Sequence, residues 1–121
     1  QLPLACNNRL NELFVTNAKI AEPNVAVKDA GHFSASTDMG DVSHLLPVIH
    51  PFIGVVDGFF HTADFHVVDF KHAVLLRAKA FAMMVVDLLA EDAELARQIK
   101  AEHHPLLTKE EYIAKLDKYF Q

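Results

Sequence analysis

The sequence predicts the α/β fold class, with several helices and a small or incomplete sheet. Three observations predict it: apolar residues at helical spacing near both ends, a β-branched run in the middle, and polar loops between them. The length of 121 residues fits one domain, residues 1–121. Because 51% of the residues are hydrophobic and only 22% are charged, an intrinsically disordered chain is excluded.

The amino-terminal part of the chain predicts one helix and a long loop. From Asn8 to Ala21, apolar residues recur at the three-and-four spacing of a helix with one buried face, and Pro23 ends that helix. The stretch Val25–Lys28 contains β-branched valines and is either a short strand or an extended connection. Gly31–Gly40 consists mainly of small and polar residues, which is typical of a loop.

The middle of the chain predicts a helical turn followed by a strand. Asp38 or Asp41 is placed to cap a short turn of helix that runs to Leu46. Val48–Val56 is rich in valine and isoleucine, and the turn dipeptide Asp57-Gly58 follows it. We therefore expect a strand over this run.

The carboxyl-terminal half predicts three helices. Asp69 is a suitable N-cap for a long apolar helix from Phe70 to about Ala90. The polar residues of this helix occupy a limited arc, so we expect other parts of the molecule to cover most of its surface. A more polar helix, Glu91–His103, ends before Pro105. Thr108–Glu111 is a capping box that begins a last amphipathic helix, with apolar residues at Tyr112, Ile113, Leu116 and Phe120.

Charge, cysteine content and hydropathy argue against several classes of protein. A net charge of −5 and a pI near 5.8 argue against a nucleic-acid partner. The single Cys6 cannot form an internal disulfide, so a disulfide-stapled secreted scaffold is excluded. Charged residues interrupt the longest apolar run, which argues against a membrane span. The chain begins at Gln1 without an initiator methionine or a signal segment, which suggests either processing or a piece of a longer protein. We expect a cytoplasmic location.

One loop carries enough polar groups to bind a polar ligand. It combines two hydroxyls, two carboxylates and a flexible glycine, contributed by Ser36, Thr37, Asp38, Gly40 and Asp41. Such a loop presents side chains and backbone N–H groups to a substrate. The alternative is a helix N-cap and turn that binds nothing.

The eight histidines suggest metal binding without proving it. His61 follows a predicted strand and turn, where α/β sheets usually place ligands, and Asp64 is positioned to orient its ring or to cap the next turn. The alternative for His61 is an ordinary surface or core residue. His44 and His50 lie beside the predicted strand, and solvated positions are expected for His66, His72, His103 and His104.

A run of residues resembles a known family. In order, the chain carries Ser36-Thr37-Asp38-Met39-Gly40-Asp41-Val42-Ser43, then Leu46-Pro47, Ile49-His50-Pro51 and Gly54, then His61-Thr62 and an alanine-rich helix. This order resembles the carboxyl-terminal end of the binuclear-zinc amidohydrolases, which include aminoacylases and carboxypeptidase G-type metallopeptidases. The aminobenzoyl-glutamate hydrolase subgroup is the most similar. The resemblance extends from about Leu2 to Phe120.

The resemblance implies a specific architecture and a specific site. The chain would be the last part of a three-layer α-β-α zinc-peptidase catalytic domain, without its amino-terminal half and without the inserted lid domain, and the protein would form a homo-oligomer. His61 matches the last metal-ligand histidine, for two divalent metal ions, zinc with manganese as the alternative. Ser36, Thr37, Asp38 and Gly40 match a loop that lines the site near a small-molecule amide or peptide substrate.

The resemblance also implies a function for the parent protein. It would cleave the amide bond of N-acyl or N-aroyl amino acids, or of small peptides, with a metal-activated water. The general-base glutamate and the other metal ligands have no matching motif in this chain, so we expect the chain alone to be inactive. Its uncovered strand edges and apolar helix predict self-association. The alternative is a stand-alone, non-catalytic binding or interaction domain.

Overall fold

The computed structural model describes residues 1–28 and 37–119 of the chain. Within these ranges the helices are α1 (Asn8–Ala21), α2 (Asp38–Ser43), α3 (Arg77–Glu102) and α4 (Lys109–Asp117). A π-helical stretch, His72–Leu76, leads into α3. Two short strands, β1 (Val56–Asp57) and β2 (His66–Val67), pair antiparallel, with Val56 opposite Val67 and Asp57 opposite His66. The described chain is therefore mostly helical with a small sheet, which confirms the mixed class at this coarse level.

Helix α1 has the bounds that its apolar spacing predicts. Asn7 is the N-cap, and its side-chain oxygen accepts a hydrogen bond from the Leu10 backbone N–H at 3.0 Å. This bond satisfies one of the unpaired donors in the first turn. At the other end the Glu22 N–H donates to the Ala18 carbonyl at 2.9 Å. Residue spacing and both end contacts thus agree on the same helix.

The core lies where α1 packs against the first half of α3. Its buried members come from both helices and from the π-helical stretch: Phe14, Ala18, Leu76, Ala80 and Met84. Ala80 is fully buried, and its small side chain lets the two helices come close. The rings of Phe14 and Phe81 lie 5.2 Å apart between centroids, in a tilted arrangement that aromatic pairs favour.

A buried amide also joins these two helices. Asn17 is only 2% exposed, and its side-chain Nδ2 donates to the Leu13 carbonyl at 3.2 Å and to Asp87 Oδ2 at 2.7 Å. A buried polar group without partners is costly, and the bond to Asp87 crosses from α1 to α3. Asn17 therefore restricts which face of α3 can meet α1.

The strand predicted over Val48–Val56 is wrong for all but its last residue. Residues 48–55 belong to no helix or strand, and only Val56 belongs to β1. Val48 and Val55 are buried, so these two valines fill the interior although they lie outside the strands. Proline at positions 47 and 51 lacks the N–H donor that a ladder needs. Val25–Lys28 is a connection and not a strand. The second strand is β2, which the sequence did not predict.

The long apolar helix begins as predicted but is less covered than expected. Helical turns start at Phe70, and the Asp69 side chain accepts from the His72 N–H at 3.0 Å, which confirms Asp69 as the capping residue. Only one side of the helix is buried, because α1 packs on that side and the two-stranded hairpin is too small to cover the rest. We call five of its exposed apolar residues the outer face: Phe70, Val74, Val85, Val86 and Leu89.

Helix α3 contains a sharp bend at the junction predicted after Ala90. Ala90 has a ψ of 159°, and Glu91, Asp92 and Ala93 have φ values of 48°, 59° and 59°. These three are left-handed residues with a Cβ, a conformation that costs about 1–2 kcal/mol per residue. The bend, Ala90–Ala93, separates an apolar first half of α3 from a more polar second half.

The last helix confirms the capping box. Thr108 Oγ1 accepts from the Glu111 N–H at 3.2 Å, and Glu111 Oε2 accepts from the Thr108 N–H at 2.7 Å. Hydrogen bonds to the Glu111 carboxylate from the Thr108 backbone N–H and then from the Thr108 side chain hold the pKa of Glu111 below its ordinary value. Phe120, which the sequence assigns to the apolar face of this helix, lies outside the described residues. In the described ranges, no helix has the length and apolar character needed to span a membrane.

Candidate functional site

The loop singled out in the sequence leads into α2, with Thr37 as the N-cap. The Thr37 hydroxyl accepts from the Met39 N–H at 3.4 Å, so the prediction that Asp38 or Asp41 caps this helix is wrong. Both carboxylates lie inside the first turn, where they favourably face the positive end of the helix. Ser36 lies outside the described residues. The helix ends at Ser43, short of the predicted Leu46.

The first residues of the chain occupy the polar side of α2. We call residues 1–5 the N-terminal segment. The Leu2 N–H donates to Asp41 Oδ1 at 2.8 Å, and the Ala5 N–H donates to Ser43 Oγ at 3.0 Å. The amide of Gln1 also donates to the Asp38 carboxylate. The carboxylates of the candidate substrate loop therefore already have partners from the chain itself.

Gly40 allows this close approach. A Cβ built on Gly40 would lie 2.0 Å from the Leu2 carbonyl oxygen and 3.1 Å from its carbon. Both atoms are backbone, so neither can swing away as a flexible side chain does. The structure thus gives Gly40 a packing role, while substrate binding by Thr37, Asp38 and Gly40 stays a prediction.

His61 lies in the loop between β1 and β2. The turn predicted at Asp57-Gly58 is present: Gly58 has a φ of 82°, and its N–H donates to the Asp57 side chain at 2.8 Å. His61 also has a positive φ, 64°, which is uncommon for a residue with a side chain. The residue is exposed, and its ring has no hydrogen-bond or ion-pair partner among the described residues.

Asp64 does not orient the His61 ring. Its carboxylate accepts from the Thr62 hydroxyl, and this bond is the main reason why the pKa of Asp64 lies below its ordinary value. The Asp64 carbonyl is hydrogen-bonded to His66 Nδ1 at 2.7 Å. These contacts tie the loop to itself on both sides of Asp64 and leave His61 outside the network.

His72, for which a solvated position is expected, instead contacts side chains at the ends of two helices. His72 Nδ1 is 2.6 Å from Asp69 Oδ2, and His72 Nε2 is 3.6 Å from Glu22 Oε2, beyond the end of α1. All three side chains are partly exposed. The spacing of three between Asp69 and His72 is a sequence signal for their contact, whereas the contact with Glu22 depends on the tertiary fold.

Acid is expected to weaken this contact. The Asp69 carboxylate accepts from the His72 backbone N–H and from its ring, and these bonds lower the pKa of Asp69. Because the pKa of Asp69 is lower in the folded than in the unfolded chain, its ionised carboxylate stabilises the fold at pH values above the unfolded pKa of about 4. This stabilisation is lost as the pH falls through the folded pKa. We expect Asp69→Asn to have a flatter decline in melting temperature between about pH 4 and pH 2 than the wild type. Asp117→Asn, an exposed control, should retain the wild-type slope, and equal slopes for all three proteins would contradict the assignment.

Two surface cavities of the described chain lie away from the predicted site residues. One has a volume of about 440 Å³ and lies beside the bend in α3, and the other, of about 40 Å³, lies beside His72. Neither is lined by Thr37, Asp38, Gly40 or His61. Among the residues that the structure describes, no three histidine, cysteine, aspartate or glutamate side chains are grouped to hold a metal ion.

Over residues 1–28 and 37–119 the chain is thus a mostly helical unit with a small antiparallel hairpin, and its candidate groups lie at the start of α2 and in the hairpin loop. No family model, no curated protein and no solved structure matches it.

Proposed function

We propose that this chain is the carboxyl-terminal part of the catalytic domain of a metal-dependent amidohydrolase. The parent enzyme would cleave the amide bond of N-acyl or N-aroyl amino acids, or of small peptides. The proposal includes a three-layer α-β-α catalytic domain, a homo-oligomeric state and a cytoplasmic location. Its sequence basis is the resemblance carried by the run from Ser36 to Ser43 and by His61-Thr62.

The structural observation that best supports the proposal is the position and backbone conformation of His61. Its ring is exposed and unpartnered within the described chain, and its backbone has a positive φ. Residues held in sparsely populated conformations cluster at functional sites, where the strain serves to place a side chain. A neutral imidazole nitrogen without a competing partner is a suitable metal ligand. His61 therefore fits the role of a single ligand donated by this chain.

The outer face of the long helix supports the proposed three-layer architecture. In a three-layer domain, helices cover both faces of a central sheet, and each helix buries an apolar side against it. The outer face has the apolar residues for such a contact but no cover in the described chain. The remaining sheet, from the amino-terminal half of the same protein, would cover it.

This chain and the amino-terminal half of the protein would each supply part of the catalytic site. Two divalent ions, zinc or manganese, would supply an activated water and polarise the amide carbonyl. From this chain, His61 would hold one ion through a ring nitrogen. Thr37 and Asp38, near the backbone N–H groups that begin α2, would contact polar groups of the substrate. The general base and the other ligands would come from the amino-terminal half.

His61→Ala tests the proposal in the native protein. We expect the purified full-length parent protein to contain two metal ions per subunit by elemental analysis and to hydrolyse N-acyl amino acids. The variant should lose metal and more than about 100-fold of the activity, because removing a ligand weakens the site. His104→Ala, another exposed histidine, should keep both. An inactive, metal-loaded wild type would favour the non-catalytic binding domain, and an unaffected His61→Ala would contradict the role of His61.

A further inference from the structure

The bend in α3 combines strain with a sequence that favours a continuous helix. Glu91, Asp92 and Ala93 are left-handed although none of them is glycine. The flanking residues are regular helix, and residues 88–98 contain neither glycine nor proline. Apart from Asp92 they are mainly leucine, alanine, glutamate and other good helix formers. The local sequence therefore gives no reason for the chain to turn here.

The bend is poorly covered. Ala90, Glu91 and Asp92 are exposed, and an open surface cavity of about 440 Å³ lies beside the bend, lined by Leu13 of α1 and Leu95 beyond the bend. Atoms that face an open cavity lack the close contacts of a filled interior. Closing the bend thus brings little packing energy at the point where the backbone is strained.

Contacts further along the chain hold the bent form together. We call residues 94–119 the C-terminal unit. Arg9 Nη1 lies 2.7 Å from Glu102 Oε2, and the Leu107 N–H donates to the His44 carbonyl at 3.1 Å. Ile99 is 4% exposed. Both polar contacts join a residue before the bend to one after it, so the same pairs form equally well when the C-terminal unit belongs to another copy.

We propose that α3 straightens through Ala90–Ala93 and that two copies of this chain exchange their C-terminal units. A continuous helix over Arg77–Glu102 would be about 39 Å long and would carry the unit away from its own chain. The exchanged dimer retains the contacts of Arg9 and His44 and removes the left-handed residues. Two monomers lose translational freedom when they form one dimer. Dilution therefore favours the bent monomer, and high concentration favours the exchanged dimer. This exchange does not depend on the proposed function.

Glycine substitutions at the bend test whether backbone strain in the bent monomer favours the exchanged dimer. Sedimentation of the purified chain from low to high micromolar concentration is expected to show a monomer–dimer equilibrium. Asp92→Gly/Ala93→Gly should raise the dimer dissociation constant about tenfold or more, because glycine adopts positive φ without strain and weakens the straight helix. Ala101→Gly, at a right-handed position of the same helix, should leave the constant nearly unchanged. A wild type that stays monomeric throughout, or a dimer insensitive to the double substitution, would overturn the proposal.

Cross-linking distinguishes exchange from side-by-side association. In a Cys6→Ser background, Arg9→Cys and Glu102→Cys place thiols at the two positions that form an ion pair. A short bis-maleimide applied to the isolated dimer should give covalent dimers on a denaturing gel, because the paired positions then belong to different chains. The isolated monomer should give an internally linked chain. Internally linked monomers recovered from the dimer would rule out exchange.

Discussion

Phe14→Ala is expected to lower the free energy of unfolding by about 3–5 kcal/mol. The ring is 8% exposed, contacts Phe81, and belongs to the core cluster with Ala80 and Met84. Its removal leaves a cavity between α1 and α3, and the described chain has one such core cluster to hold these helices together. Since whole domains are stable by only about 5–15 kcal/mol, the variant loses a large fraction of its stability. Urea denaturation followed by circular dichroism measures the change.

Ile20→Ala is the matched control for this substitution. Ile20 is on the same helix but is 63% exposed, so its loss should change the free energy of unfolding by no more than about 0.5 kcal/mol. Comparable destabilisation by both variants would mean that burial of Phe14 is not what stabilises the packing of α1. That result would contradict the assigned core.

Gly40→Ala is expected to release the N-terminal segment from α2. The new Cβ would overlap the Leu2 carbonyl, and the hydrogen bonds from Leu2 and Ala5 to Asp41 and Ser43 would be lost. At roughly 1 kcal/mol for each bond, the release costs about 2 kcal/mol, apart from lost packing. Hydrogen exchange should show the amides of Leu2 and Ala5 losing their protection.

Gly54→Ala provides the comparison for the Gly40 result. No atom lies within 4 Å of a Cβ built on Gly54, and its φ is not in the left-handed range. The amides of Leu2 and Ala5 should therefore keep their wild-type protection in this variant. Retained protection in Gly40→Ala as well would show that the segment is not held by close packing at Gly40.

Features set by neighbouring residues were predictable from the sequence. The bounds of α1, the cap at Asp69, the turn at Asp57-Gly58 and the capping box at Thr108 each depend on side chains a few residues away. Caps and turns satisfy backbone groups of the same short segment, so their residues form recognisable patterns. The change from apolar to polar composition after Ala90 was visible, but no glycine or proline marks a bend there.

Features set by distant residues were not predictable. The valines before β1 are buried by tertiary contacts, which a β-branched run cannot distinguish from a strand. The contact of Glu22 with His72 joins separate elements, as does the docking of Leu2 beside Gly40. In the candidate site, the sequence indicated His61 and the start of α2, but the partners of Asp38 and Asp41 come from the far end of the chain.

The π-helical stretch at His72–Leu76 sets the rotational phase of everything that follows it. A π turn holds more residues than the 3.6 of an α turn, and each residue added to or removed from a helix rotates the downstream side chains by about 100°. If the same residues formed a regular α-helix, Ala80 and Met84 would turn by about 100° away from α1, and other side chains would replace them at the interface. Removing one residue would make the helix regular and keep Ala80 and Met84 facing α1, because the π turn accommodates one extra residue. A one-residue deletion in this stretch should therefore be tolerated better than a one-residue insertion.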